Sequence, residues 1–157
     1  MTIICAARNG KVAAIGGDSG GFYGDTVMLS VEAKVWKVGT TLLGACGNFR
    51  VIEVAKKSNL ANPYRLRDLM AETPHLPEEW GIVVVTPKAI YELSEAMDVF
   101  CVKEPYYAVG TGNAVALGAL YATLQGSLSI EQRVRKAVGA TKAHSITNRP
   151  PYRYLTV

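Results

Sequence analysis

Apolar positions in this chain fall in short runs that switch between a two-residue and a helical period. Thr2 to Asn9 alternates weakly and predicts a strand. Lys11 to Gly17 is nearly all small and apolar, which predicts a second strand buried on both faces. Asn9-Gly10 between them is a hairpin signal. The glycine-rich stretch from Asp18 to Asp25 (DSGGFYGD) predicts a loop. KVWKV at Lys34–Val38 and TLLGAC at Thr41–Cys46 predict another hairpin across Gly39-Thr40. Residues 48–58 carry Val51, Val54 and Ala55 at helical spacing with cations in the last turn. Residues 64–71 predict a shorter helix, and the proline-bearing segment TPHLPEE a loop.

Beyond that loop, WGIVVVT and AIYELS flank Pro87-Lys88 as a hairpin, and VFCV and YYAVG follow as short strands. A helix spans Asn113 to Leu124 and stops at Gly126. Ser129 and Gln132 form an S-x-x-Q capping box for a helix that runs to about His144. Asn148 to Pro151 breaks the chain, and YRYLTV closes it as a strand. Runs of strands alternating with runs of helices predict an α+β layered domain, not an alternating parallel fold. The helix AVALGALYATL is apolar almost all round, so it must be covered on two sides, by a sheet and by another subunit.

The 157 residues suit a single domain, 1–157, without a linker or repeat. Apolar residues at 49% and charged residues at 19% describe a globular chain and exclude a disordered one. The start lacks a signal peptide's basic and apolar regions, and no apolar run reaches the ~20 residues of a membrane span. Cys5, Cys46 and Cys101 are odd in number and widely spaced, which predicts reduced thiols in a cytoplasmic protein. His75 and His144 have no partner at ligand spacing, so neither a metal nor another cofactor is expected. The net charge of +4 is modest; the basic run from Arg133 through Arg135, Lys136, Lys142, Arg149 and Arg153 reads as a solvated helix face and not as a nucleic-acid site.

Three segments invite a chemical reading. GDSGG at residues 17–21 spells a serine-protease nucleophile segment around Ser19, but no histidine precedes it. A glycine-rich turn explains it better. GTGNAV from Gly110 imitates a dinucleotide motif, but its sixth position is Val115 and it ends a run of strands. Close packing of a helix start accounts for its glycines. The third segment is the N-terminus. Removal of Met1 ahead of a small residue exposes Thr2 with a free α-amine. Its hydroxyl can then attack while its own amine accepts the proton.

Counting from Thr2 turns a common residue into a pattern. Asp18 lies in GGD, Lys34 in AKV, and GACGN leads from a strand end into a helix, with GDTVM between the first two. With these spacings the chain resembles the proteasome β-subunit family of N-terminal-nucleophile hydrolases, and within it is most similar to the bacterial HslV peptidases. YYAVGTGNAVALGALYATL and Thr147-Asn148 resemble later segments of that family, so the likeness covers nearly the whole chain.

The resemblance implies a four-layer α-β-β-α sandwich of two antiparallel sheets flanked by helices. It implies Thr2 as nucleophile and base, and Lys34 beside it depressing its pKa values. Asp18 pairs with Lys34, the Gly47 N–H donates to the oxyanion, and Thr111 holds the terminal amine. It further implies stacked homo-oligomeric rings, protein or peptide substrates and an ATP-driven unfoldase partner. Two departures stand out. The family has an acidic residue near the threonine amine, where Thr141, Lys142 and His144 supply none. The segment after the first helix is also short, which implies a trimmed helix layer. A catalytically silent ring or assembly protein and a non-peptidase amidase remain open as alternatives.

Overall fold

The computed structural model describes residues 2–23, 26–28, 33–144 and 148–157. Two antiparallel sheets dominate. The first has the order β10-β1-β2-β11, built from β1 (Ile3–Arg8), β2 (Ala13–Asp18), β10 (Tyr106–Gly110) and β11 (Tyr152–Thr156). The second runs β5-β6-β7-β8-β9 through β5 (Val35–Val38), β6 (Thr41–Cys46), β7 (Gly81–Val85), β8 (Ile90–Ser94) and β9 (Val99–Val102). The helices are α1 (Phe49–Ser58), α2 (Pro63–Glu72), α3 (Asn113–Ala122) and α4 (Ile130–His144).

Alternation along the strands explains how these elements stack. Ile3, Cys5 and Ala7 face one way and pack with Ala116, Leu120, Val134 and Val138 of α3 and α4. Ile4 and Ala6 face the other way and meet Leu42, Val83 and Val85 of the second sheet. The opposite face of that sheet, with Leu43, Ile82, Val84 and Leu93, is covered by Val51, Ile52 and Ala55 of α1 and Leu66 and Met70 of α2. Three apolar interlayers make four layers, α-β-β-α, which explains why β1 and β2 are apolar on both faces.

Local chemistry sets the boundaries. Asn48 and Asn62 accept hydrogen bonds from the first-turn N–H groups of α1 and α2. The Ser129–Gln132 box forms reciprocally: the Ser129 N–H donates to Gln132 Oε1 and the Gln132 N–H to Ser129 Oγ, at 2.9 and 3.2 Å.

The structure corrects three expectations, for the first hairpin, the glycine loop and Arg133. The first hairpin is wider than a two-residue turn: Arg8 pairs with Ala13, and Asn9 Oδ1 accepts from the N–H groups of Lys11 and Val12. An asparagine that bonds the following backbone makes the longer turn self-sufficient. The segment expected to be a glycine loop contributes β3 (Gly21–Tyr23), which pairs with β4 (Thr26–Met28) as a small ribbon. The shorter helix expected over residues 64–71 is present as α2, Pro63–Glu72, at ten residues. Helix α3 packs on the first sheet and α4 through Ala116 and Leu120, as expected, and its other side, where Tyr121 is 69% exposed, is uncovered within the single chain. Arg133 is buried instead of solvated, donating to the Leu120 carbonyl at the end of α3.

Helix α4 sits unusually close to the first sheet. A Cβ at Gly16 would stand 2.7 Å from Tyr154 Cδ1 and 2.8 Å from Val134 Cγ1. Gly16→Val is therefore expected to destabilise by about 1–3 kcal/mol through overpacking. In thermal unfolding this lowers Tm by about 5 °C; an unchanged Tm would show that the helix is free to lift.

Candidate active site

Strand direction gathers the five residues singled out in the sequence. Thr2 immediately precedes β1. Because β1 runs antiparallel to β2 and β10, its start meets their ends: Ile4 pairs with Gly17, and Ile3 with Gly110. This puts Asp18, the last residue of β2, and Thr111, just after β10, beside Thr2. In the facing sheet Lys34 precedes β5 and Gly47 follows β6, and Val35 pairs with Gly44. Both sheets therefore present their functional residues at one end.

The side chains form a connected set. Lys34 Nζ donates to Thr2 Oγ1 at 2.7 Å and to Asp18 Oδ2 at 3.1 Å. Asp18 Oδ1 accepts from the Ile3 N–H at 2.9 Å, so the carboxylate is fixed from two sides. The Thr2 N–H donates to Thr111 Oγ1 at 3.3 Å. Thr2, Asp18 and Lys34 are each 2% exposed or less. Burial pulls the Lys34 ammonium below its ordinary pKa, and the Asp18 charge and hydrogen bond work against that fall.

Two glycines make the geometry available. Gly110 has φ +97°, and a Cβ there would collide with the Thr2 carbonyl oxygen. Gly47 has φ +103°, and a Cβ there would lie 2.6 Å from the Glu79 carbonyl oxygen. The loop before β7 thus presses directly on the Gly47 turn.

Thr2 and Gly47 line two neighbouring lobes of open space. One lobe, of about 330 Å³, is bounded by Thr2, Lys34, Gly47, Asn48, Glu78 and Glu79. The other, of about 320 Å³, is bounded by Thr2, Cys46, Gly47, Glu79, Gly110 and Thr111. Asn48 and Phe49 begin α1, so the partial positive end of that helix faces the first lobe. Burial pushes the Cys46 thiol up to about 11, which keeps it protonated at neutral pH. Ser19 is buried, and His75 and His144 are exposed, so no serine-protease arrangement forms around GDSGG.

Thr141 is fully buried and donates to the Val138 carbonyl. Thr141 and Asn148 both pack on Gly112, the residue after Thr111: Asn148 Nδ2 lies 2.6 Å and Thr141 Cγ2 3.2 Å from where a Cβ would be. Lys142 and His144 point to solvent. Neither side-chain atom of Asn148 has a hydrogen-bond partner among the described residues. Thr147 lies outside the described residues. Asn148 belongs to the site's surroundings, but in the sequence it stands out as part of a motif and not as a neighbour of Thr111. The Glu78–Glu79 wall was likewise hidden in a loop.

No group of side chains suited to a metal ion occurs among the described residues. No helix among the described residues is long and apolar enough to cross a membrane.

No protein-family model matches the sequence. No curated protein matches it either. The fold, by contrast, has solved counterparts. Thiobacillus denitrificans BPH in complex with epoxomicin is 20% identical, with a TM-score of 0.79 over 100% of this chain and 98% of that one. Another structure of Thiobacillus denitrificans BPH is 21% identical, with a TM-score of 0.78 over 100% of this chain and 97% of that one. HslV from Trypanosoma brucei is 17% identical, with a TM-score of 0.80 over 98% of each chain. The chain thus has the HslV-like N-terminal-nucleophile hydrolase fold.

Proposed function

We propose that this chain is an N-terminal threonine peptidase, the subunit of a ring protease that encloses its own active sites. The observation that carries the reading is the Lys34 ammonium 2.7 Å from Thr2 Oγ1, itself held by Asp18. A lysine placed to donate to a hydroxyl at the start of a chain acidifies that hydroxyl and the adjacent amine. A structural ion pair would have no reason to involve it.

In this reading Met1 is removed and the Thr2 amine becomes the general base. An α-amine titrates near ~8, and the Lys34 charge lowers that value. The amine takes the proton from Oγ1 as Oγ1 bonds to the carbonyl carbon of the substrate. The Gly47 N–H, with the N-terminus of α1 behind it, stabilises the oxyanion. The amine then gives its proton to the departing amine, the C–N bond breaks, and an ester on Thr2 remains. Water, deprotonated by the same amine, attacks the ester, releases a carboxylic acid and restores the hydroxyl. Thr111 orients the amine throughout. No cofactor takes part.

The exposed apolar side of α3, with Ala114, Gly118 and Tyr121, supports contact with further copies of the chain in stacked rings. An ATP-driven unfoldase would deliver protein substrates to such a chamber. Three unpaired thiols suit a reducing, cytoplasmic setting. A silent ring subunit is favoured by one feature, the neutral Thr141–Asn148 pair where a carboxylate is missing.

Epoxomicin, which the BPH structure holds, separates these readings. Natively expressed protein is expected to have the mass of the chain without Met1. It should also take up one epoxomicin per chain, mapped to Thr2 by peptide mass spectrometry. Retained Met1 together with no adduct would overturn the proposal.

A further inference from the structure

We infer that the cleft beside Thr2 selects cationic side chains, so that its preferred substrates carry Lys or Arg next to the scissile bond. The inference rests on the peptidase reading and assigns its substrate class.

The cleft is located by Thr2 and Gly47, independently of its charge. Its larger lobe is lined by the charged side chains of Lys34, Glu78 and Glu79 and, in the peptidase reading, by the Thr2 amine. Lys34 is buried and balanced by Asp18 at 3.1 Å. Glu78 and Glu79 are exposed, and neither carboxylate has a hydrogen-bond or ion-pair partner among the described residues. These two carboxylates thus face the Thr2 amine and the start of α1 across the lobe, so its Glu78–Glu79 wall is negative although the whole chain is +4. A concave wall of one charge sign concentrates field into the cavity and raises the local concentration of opposite charge.

Glu79 also borders the second lobe, so an extended peptide crossing Gly47 passes it in either lobe. The wall is held in place. The Trp80 N–H donates to Glu95 Oε2 at 2.9 Å, Trp80 is buried, and the Glu79 carbonyl abuts Gly47. A substrate ammonium or guanidinium would meet carboxylates that pair with no cation among the described residues, while an acidic substrate residue would be repelled. Attraction and repulsion acting together set specificity.

The test uses three fluorescent peptides that differ at one central position, Arg, Leu or Glu. Binding is measured by anisotropy on the Thr2→Ala protein, where cleavage cannot interfere. The Arg peptide is expected to bind about tenfold more tightly than the Glu peptide at low salt, from two partly screened charge pairs. The difference should shrink as the Debye length falls to about 8 Å at physiological salt. In the Glu78→Gln/Glu79→Gln variant, made in the same background, the ratio should drop to about twofold. Equal affinities, a ratio untouched by that variant, or no binding of any peptide would each overturn the inference. Charge-selective binding without turnover by the unmutated protein would count against the peptidase reading alone. Turnover that ignores the central residue would count against this inference alone.

Discussion

Thr2→Ala is expected to reduce peptide cleavage by at least four orders of magnitude while the protein keeps its melting temperature and assembly state. Removing a nucleophile that acts as one unit with its base takes away nearly the whole chemical advantage. Here the loss is compounded, because Lys34 would no longer have a hydroxyl to acidify. The fold should tolerate the change: what disappears is one methyl, one hydroxyl and its bond to Lys34, while Ile3 still pairs with Gly110 and Asp18. Thr2→Ser is the useful companion, since it keeps the hydroxyl and the amine and should retain measurable turnover. Activity of Thr2→Ala within tenfold of the unmutated chain would move the nucleophile elsewhere.

Lys34→Met is expected to damage stability as well as activity. Lys34 is among the largest fully buried side chains, and its partner Asp18 is 1% exposed. Deleting one member of such a pair leaves a buried charge uncompensated, which costs about 3–5 kcal/mol. For a chain of this length, that corresponds to a fall in Tm of about 10 °C or more. The double variant Asp18→Asn/Lys34→Met removes both charges and should recover much of the loss, because buried pairs are often replaceable by neutral groups. Activity should not recover in either. Losing the Lys34 charge lets the Thr2 amine return toward ~8, so less free amine is present at neutral pH. Any residual turnover should therefore rise toward higher pH relative to the unmutated chain. Denaturant titrations and pH–rate profiles check the two halves; a neutral single variant would show that the pair is not coupled to folding.

Much of the fold could be read from the order of residues. Strand alternation at Ile3–Ala7, the Ser129–Gln132 box and the spacing of Val51, Val54 and Ala55 are local signals, and local chemistry decides them. The layered α-β-β-α arrangement matches what the resemblance implied. The errors came where pairing partners outrank propensity. Gly21–Tyr23 reads as a loop because glycine disfavours strands, yet the ribbon with Thr26–Met28 overrides that preference. Arg133 reads as solvent-facing within a basic run, but the turn of α4 aims it at the end of α3.

The chain alone determined which residue types stand 16 and 32 positions beyond Thr2, and so marked Asp18 and Lys34 as candidates. Spacing states nothing about direction or distance, however. Antiparallel pairing of β1 with β2 and β10 brought Asp18 and Thr111 to Thr2. Stacking of the second sheet carried Lys34 and Gly47 across to meet them. The same stacking set Glu78 and Glu79 along the cleft, while packing of α4 on the start of α3 put Asn148 against Gly112, beside Thr111; no local pattern foretold either. Periodicity acts between neighbours in sequence, whereas a site at the ends of two sheets is made by contacts between strands distant in the chain.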